Sequence, residues 1–309
     1  MALTLILAGC STDREPGDLF APSNEGTIVL DAVLIVDAPF PSVYLSRSAA
    51  LDEDFTRDGV AVRGADVRIE SGGGEILVRY ADAIGPAGRY DPAGPNPSVL
   101  PETEYRIRVM TADGELVTAV TQTPARFQVT DWVQLDARGE AVQETLATVR
   151  DLGDAVFDDP RNRIPYAEGL LEARFDRPDV PAFQVGVVNL EEDSDLVVDS
   201  SIFSEEDLQD LDRQLSSPPL AADAATLRLP WFAIFYGGRT MVRIFALDEN
   251  WYDLVRTSPE LSGQAGAVAF GGNLGDAFDR PVFHVQGGIG LFGSASVDSN
   301  AFFVLPEEK

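Results

Sequence analysis

The sequence predicts a mainly β protein. Residues 27–125 are expected to form an antiparallel sandwich of immunoglobulin-like or transthyretin-like type, and residues 126–309 a second mainly β domain with two short helices. Three observations predict this fold class. Segments that alternate between apolar and polar residues follow one another from residue 27 onward, turn residues separate them about every 8–12 positions, and only two later segments have helical periodicity.

The first domain divides into about seven strands. The clearest, in chain order, are TIVLDAVLIV, SVYLSRS, VAVRGADVRIE, EILVRYA, YRIRVMT and ELVTAVTQ. The triplet Gly72–Gly74 is expected to join the third of these to the fourth, and Asp113-Gly114 to join the last two. Both are hairpin signals because glycine adopts the positive φ angles that tight turns require.

The second domain continues with strand-like segments after Pro124–Arg126. These are FQVTDWVQL, GLLEARF, AFQVGVVNL, TLRLPWFAIFY and TMVRIFAL, of which the last two flank Gly237-Gly238 and are predicted to form a hairpin. A final pair of strands, PVFHVQ and NAFFVL, is expected to bracket the segment GGIGLFGSASVDS.

Two helices are predicted in this domain. Ser204–Gln214 opens with a serine cap and two glutamates in its first turn, which favours a helix because acidic groups stabilise the helix N-terminus. Leu247–Thr257 has Asp248 as a possible cap and apolar residues on one face. The glycine-rich stretch 258–280 is weakly periodic and predicts a long loop.

The single cysteine, Cys10, predicts where the protein is located. It follows the apolar stretch Leu3–Leu7 and the small pair Ala8-Gly9, and Leu-Ala-Gly-Cys resembles the lipobox of bacterial lipoproteins. Residues 1–10 are therefore expected to be a lipoprotein signal segment, and the polar residues 11–26 a flexible tether to an outer-membrane lipid anchor. No Lys or Arg precedes Cys10, which suggests an upstream start; the alternative is an accidental cysteine near a frayed terminus.

The charge of the chain excludes two classes of partner. With 51 acidic and 23 basic residues, the net charge is −28. Nucleic acids and anionic lipid surfaces bind through clustered positive charge, so neither is expected as a partner. The acidity favours a self-repelling, soluble surface, and the alternative is attraction of cationic ligands.

The sequence offers little for catalysis. His284 is the only histidine, it alternates with apolar neighbours in PVFHVQ, and it is interpreted as a structural residue. Acidic clusters in RDLGDAVFDDP (Asp151, Asp154, Asp158 and Asp159) and in LEEDSD (Glu191, Glu192, Asp193 and Asp195) could hold Ca²⁺, but neither has the spacing of a calcium loop. No enzyme, metal or cofactor is therefore predicted, and a carboxylate-based hydrolase is the distant alternative.

Four aromatic residues are the candidates for contact with a ligand or partner: Trp231, Tyr236, Trp251 and Tyr252. The first two belong to an apolar run that is either a platform for glycan stacking or a strand buried on both faces. Trp251 and Tyr252 are adjacent on the predicted helix and face different directions, so one is expected in the core and the other at an interface. The segment GGIGLFGS is either a structural turn or a docking loop.

Several of these segments resemble one family. SVYLSRS, VRGADVRIE, a GRY segment and TEYRIRVMTADGELVTA are similar to the amino-terminal half of the domain of unknown function 4249 family. VRIFALDENWYDLVRTS and RPVFHVQGGIGLFGSASVDS are similar to its closing pattern, except that His284-Val285-Gln286 stands where the family more often has Asn-Ile. The resemblance covers residues 27 to 304 and implies a Bacteroidetes-type lipoprotein without an agreed activity, encoded in some cases near TonB-dependent receptors.

Two functions remain open on this basis. The first is a lipid-anchored accessory protein of the outer membrane that performs no catalysis and docks on a TonB-dependent transporter. The second is a module that captures a glycan or a peptide directly. An exposed apolar patch favours the first, and a cleft with exposed aromatic rings favours the second.

Overall fold

The computed structural model describes residues 26–49, 56–136, 138–148, 155–165, 170–198, 213–222, 224–230, 233–258 and 281–305, and within them the protein is mainly β. The strands are β1 Ile28–Ile35, β2 Val43–Arg47, β3 Asp66–Ser71, β4 Ile76–Asp82, β5 Arg89–Pro92, β6 Glu104–Met110, β7 Leu116–Gln122, β8 Val129–Leu135, β9 Val142–Leu146, β10 Arg163–Pro165, β11 Leu170–Phe175, β12 Ala182–Asn189, β13 Gln214–Ser216, β14 Leu220–Ala221, β15 Thr226–Pro230, β16 Gly238–Leu247, β17 Val285–Gln286 and β18 Ile289–Leu305. The helices are α1 Ala155–Asp158 and α2 Glu249–Thr257, and Pro160–Asn162 forms a 3₁₀ turn. None of these helices is long and apolar enough to cross a membrane.

The first seven strands enclose one hydrophobic core. They lie in the hydrogen-bonded order β1-β2-β5-β4-β3-β6-β7, and β17 pairs with the outer edge of β7. Both predicted hairpins are confirmed: β3 pairs with β4 around Gly74, whose φ is 85°, and β6 pairs with β7 around Gly114, whose φ is 88°. Alternation along each strand turns one set of side chains inward, as in β6, where Tyr105, Ile107 and Val109 are buried.

A second core lies between two sheets of the C-terminal half. One is a four-stranded sheet in the order β15-β11-β8-β9, and the other is the β13-β12-β16-β18 part of the large sheet. Trp132, Phe183 and Phe302 are among the fully buried side chains of this core. The predicted boundary near residue 125 falls in the connection between β7 and β8.

The last strand, β18, belongs to both halves. Residues 289–295 pair in parallel with β1, and residues 295–304 pair antiparallel with β16. The expectation of two final strands around a GGIGLFGSASVDS segment is therefore wrong, because most of that segment and NAFFVL form one strand. The glycines permit close backbone approach: a Cβ atom on Gly290 would lie 2.1 Å from the Leu30 carbonyl oxygen, and one on Gly288 would lie 2.7 Å from that of Ile28.

The predicted hairpin around Gly237-Gly238 is also wrong. Strand β15 pairs with β11 in the four-stranded sheet, whereas β16 pairs with β12 and β18 in the large sheet. The residues between them, Ala233, Ile234 and Phe235, are buried in the core that separates these two sheets. The chain therefore crosses from one layer to the other at this point, because burying this apolar run between the sheets outweighs the local turn signal.

One predicted helix is observed and the other lies outside the description. Helix α2 begins after Asp248, whose carboxylate accepts a hydrogen bond from the Trp251 backbone N–H at 2.9 Å. Of the helix predicted at Ser204–Gln214, residues 204–212 lie outside the described residues, and the last residue, Gln214, begins β13. The loop predicted at 258–280 lies outside them from residue 259 onward.

Candidate functional site

The candidate site is an open groove of about 620 Å³ where β6, β7 and β17 meet the start of α2. Its polar lining includes the side chains of Arg106, Arg108, Asn250 and His284, and its apolar lining includes Val120, Phe283 and Val285. We call it the arginine groove. A volume of this size and a mixed lining are typical of sites for small ligands or short peptides.

Strand register brings the two arginines into the groove. Tyr105, Ile107 and Val109 of β6 face the core, so Arg106 and Arg108 face outward. On the neighbouring strand β7, Arg106 lies opposite Val120 and Arg108 opposite Thr118. These groups therefore share the outer face of the sheet, and β17 extends this surface through its pairing with β7.

Arg108 lies among other cations. It stands directly opposite Arg68 of β3, and Arg106 is its neighbour on the same face of β6. Arg68 is neutralised by Glu70 at 2.7 Å, and Arg106 lies 3.7 Å from Glu104. Among the half-buried arginines in the described part of the chain, Arg108 alone has no ion pair, side-chain hydrogen bond or ring contact.

Helix α2 supplies the opposite wall. The side-chain N–H₂ of Asn250 donates to the Val120 carbonyl oxygen at 2.6 Å and to that of Phe292 at 2.9 Å. These bonds fix the first turn of α2 against β7 and β18. The position of the groove wall therefore depends on contacts between the two halves of the chain.

His284 is held at the rim by an acid on α2. Its Nε2 lies 2.7 Å from Asp253 Oδ2, and Arg256 also binds Asp253, at 2.8 Å. Burial raises the pKa of Asp253, but the hydrogen bonds from His284 and Arg256 lower it more, so its pKa lies below the ordinary value. This arrangement gives His284 the partner that a structural histidine needs, although the side chain is 39% exposed.

The groove does not contain the aromatic residues that the sequence suggested as contacts. Cys10 and Trp231 lie outside the described residues. The ring of Tyr236 is half-buried in the second half of the chain and is covered by the Arg213 guanidinium, 4.2 Å from the ring centroid. The adjacent cavity has a volume of about 10 Å³, which is room for about one water molecule.

Trp251 and Tyr252 are both half-buried on α2, beside the groove. The Trp251 ring packs against the half-buried Phe245 of β16, with 5.6 Å between the centroids, and Phe245 alternates with Ile244 and Ala246, which face the core. The Tyr252 ring lies under the Arg256 guanidinium at 5.6 Å. The structure therefore places these two rings in different surroundings and does not bring them together with Tyr236.

One acid of each acidic cluster is paired with an arginine in the described part of the chain. Asp151 and Asp154 lie outside the described residues, and the Arg161 guanidinium lowers the pKa of Asp159. Glu191 is paired with Arg239 at 3.0 Å. In the described ranges, no group of three or more His, Cys, Asp or Glu side chains is placed so that it could hold a metal ion.

Comparison with known proteins identifies the family. A model described as "Domain of unknown function (DUF4249)" matches residues 15–301, which include both halves of the fold and the whole groove. The chain belongs to the DUF4249 family. No curated protein matches it.

Among solved structures, this DUF4249 chain is similar to the "Crystal structure of DIP-gamma IG1+IG2". The sequences are 8% identical, the match covers 71% of this chain and 89% of that chain, and the TM-score is 0.20. At that TM-score the similarity carries no argument about function.

Sequence reasoning missed Arg106, Arg108 and Asn250. The alternation in YRIRVMT does indicate that both arginines leave the core together, and this signal could have identified them as a pair. The sequence does not indicate that Arg108 lacks an acidic partner, since the pairing depends on which strands become neighbours.

Proposed function

We propose that this protein is a lipid-anchored binding protein of the outer membrane that performs no catalysis and docks on a TonB-dependent transporter. The anchor would be Cys10 in its lipobox. The observation that carries the proposal is the position of the arginine groove, which lies next to the point where the predicted tether enters the fold. A bound ligand would therefore be held close to a membrane partner.

Contacts around the start of β1 establish this proximity. The Gly26 carbonyl oxygen accepts a hydrogen bond from Arg47 at 2.7 Å. A Cβ atom on Gly288 would lie 2.7 Å from the Ile28 carbonyl oxygen and 3.4 Å from a Val117 methyl group. Gly288 is two residues from Gln286, which lines the groove. The 16 residues between Cys10 and Thr27 can span at most about 55 Å, which limits how far the groove could lie from the bilayer.

Direct capture of a peptide is the second candidate. The arginine groove favours a peptide over a glycan, because a glycan platform needs exposed aromatic rings, whereas the phenyl ring in the lining of this groove, Phe283, is half-buried beside guanidinium groups and aliphatic side chains. Tyr236, from the predicted stacking platform, is covered by Arg213. The two candidates are compatible if the captured peptide is passed to the transporter.

For the fold, we propose that the first seven strands form an immunoglobulin-like rather than a transthyretin-like sandwich. The order β1-β2-β5-β4 followed by β3-β6-β7 corresponds to the ABED and CFG sheets of an immunoglobulin constant-type domain. A second feature supports this proposal. Tyr105, near the start of β6, accepts a hydrogen bond on its hydroxyl from the Leu100 backbone N–H at 2.8 Å, as in the tyrosine corner of these domains.

Affinity purification from the native outer membrane, with crosslinking and mass spectrometry, tests the proposed function. The acylated protein is expected to enrich one transporter, and Cys10→Ala is expected to lose that enrichment while remaining folded. Crosslinks near α2 or β17 would place the groove toward the partner. Recovery of the acylated protein alone, or equal enrichment with Cys10→Ala, would count against the anchored accessory role.

A further inference from the structure

We propose that the arginine groove binds a peptide with a free carboxylate, which pairs with Arg108 while a neighbouring apolar side chain of the peptide packs on Val120 and Phe283. This inference rests on the proposed function as a binding protein and names the class of ligand. No sequence motif suggested it; three features of the groove carry it.

The first feature is the unpaired cation. The chain has 51 acidic residues, and the other half-buried arginines of the described ranges each have a partner group. Arg108 nevertheless stands opposite Arg68 and beside Arg106. Arg68 and Arg106 each have an acidic partner, so Arg108 is the one of the three without one, and a partly desolvated guanidinium that lacks a partner is a cost to the fold. An external anion removes that cost.

The second feature is the charge that remains in the groove. Glu104 lies 3.7 Å from Arg106, and Asp253 binds both His284 at 2.7 Å and Arg256 at 2.8 Å. With these groups paired, Arg108 is the guanidinium of the groove that has no acidic partner within the described residues. One charge matches one carboxylate better than a phosphate dianion or a polyanion, and the planar guanidinium can bind both carboxylate oxygens.

The third feature is the apolar surface beside that charge. Val120 is directly opposite Arg106 and is 41% exposed, so it presents apolar surface beside the guanidinium groups. Phe283 and Val285 line the same groove and are half-buried. A carboxylate with an adjacent aliphatic or aromatic side chain occurs at the C-terminus of a peptide, and a groove of about 620 Å³ accommodates only a short one.

Calorimetric titration of the full acylated chain in detergent micelles tests the inference. The probes are acetyl-Ala-Ala-Leu and acetyl-Ala-Ala-Phe with a free carboxylate, the same peptides as carboxamides, and inorganic phosphate. The free-carboxylate peptides are expected to bind with a Kd below about 1 mM. The carboxamides are expected to bind at least about tenfold more weakly, because they lose the charge-assisted hydrogen bonds.

Three variants assign the binding to Arg108. Arg108→Gln is expected to weaken the binding of the carboxylate peptides about tenfold to a hundredfold, and Arg108→Lys to weaken it less. Arg243→Gln is the matched control, since Arg243 is exposed on β16, outside the groove, and has no acidic partner within the described ranges. Thermal unfolding in the absence of peptide checks that each variant folds; Arg108→Gln is expected to be no less stable than the wild type.

The inference is overturned if the carboxylate and carboxamide peptides bind alike, if neither binds, or if Arg108→Gln and Arg243→Gln have the same effect. Tighter binding of inorganic phosphate would also overturn it. Loss of thermal stability in Arg108→Gln, with no peptide binding to the wild type, would show that Arg108 pairs within the chain. These outcomes leave Cys10-dependent copurification untouched, so failure of this inference is distinguishable from failure of the proposed function.

Discussion

Replacing Asp248 should show how strongly the two halves of the chain depend on one buried carboxylate. Asp248 is 6% exposed and caps α2 through the Trp251 backbone N–H at 2.9 Å. It also accepts a hydrogen bond from the Thr121 hydroxyl of β7, and that hydroxyl lies 2.9 Å from the Ser294 hydroxyl of β18. One side chain therefore connects the first sandwich, the helix and the shared last strand.

Asp248→Ala is expected to reduce the free energy of unfolding by about 2–3 kcal/mol. Loss of an N-cap costs about 1 kcal/mol, and loss of the acceptor for a buried hydroxyl adds about 1–2 kcal/mol. The second cost stays at the lower end of its range because Thr121 and Ser294 can still bond to each other. Asp248→Asn keeps an oxygen for the cap and an amide for Thr121, so it should cost less than about 1 kcal/mol at neutral pH.

The stability of the wild type and that of Asp248→Asn should depend differently on pH. Burial raises the pKa of Asp248 above its usual 3.8, although the hydrogen bonds from Thr121, Trp251 and Ser294 lower it. The native state therefore retains the proton to a higher pH than the unfolded chain does. The stability that Asp248 contributes is fully present below pH 3.8 and is lost as the pH rises through the folded-state pKa. Relative to Asp248→Asn, the wild type should thus lose stability with rising pH over this window.

Urea unfolding of the full chain at several pH values from 4 to 8 measures both effects. The difference between the wild type and Asp248→Asn cancels the titration of the other acidic residues, provided that these lie far from Asp248. A cost below about 0.5 kcal/mol for Asp248→Ala would refute the assignment of the cap and the buried hydrogen bond. A difference between wild type and Asp248→Asn that does not vary with pH would refute the raised pKa.

Three further substitutions test other features of the fold by urea or thermal unfolding. Glu172→Gln should cost about 1–3 kcal/mol at pH 7, because the Glu172 side chain is 4% exposed and accepts hydrogen bonds from two arginines at 2.7 Å. Burial raises the pKa of Glu172, but these hydrogen bonds lower it more, so the stability advantage of Glu172 over Gln should shrink as the pH falls below 4.5. Gly290→Ala should cost more than about 3 kcal/mol or prevent folding, since φ is 109° and the new Cβ would lie 2.1 Å from a backbone oxygen. The control is Gly74→Ala, which should cost about 1 kcal/mol because φ is also positive there but the new Cβ would have no atom within 4 Å. Tyr105→Phe should cost about 1–2 kcal/mol by leaving the Leu100 N–H without its acceptor, and a stability equal to that of the wild type would show that the proposed tyrosine corner contributes nothing.

The N-terminal strands were predictable because their signals are local. The pairs β3–β4 and β6–β7 are joined by glycine-containing turns, so the partners are neighbours in sequence and the register follows from the turn. The cap of α2 is equally local, since Asp248 lies three residues before the N–H that it binds. In each case the residues that decide the structure stand within a few positions of each other.

The same local rules gave wrong predictions where the structure depends on pairing between strands that are far apart in the sequence. Gly237-Gly238 has the composition of a hairpin turn, yet β15 and β16 lie in different sheets because the apolar residues between them fill the second core. Gly288 and Gly290 suggested a turn for the same reason. Their role is to let β18 approach β1, a partner about 260 residues earlier, and no short-range pattern contains that information.

The arginine groove shows why a division of the chain at residue 125 did not reveal the site. Strands β6 and β7 supply Arg108 and Val120 from the first half, whereas α2 and β17 supply Asn250 and Val285 from the second. The second-half walls are held in place because β17 pairs with β7 and β18 pairs with β1. Either half alone would therefore lack a wall of the groove, and Arg108 would then be an ordinary exposed arginine on the face of a sheet. Arg108 therefore lies in a groove only because the last strands of the chain pair with the strands of the first sandwich.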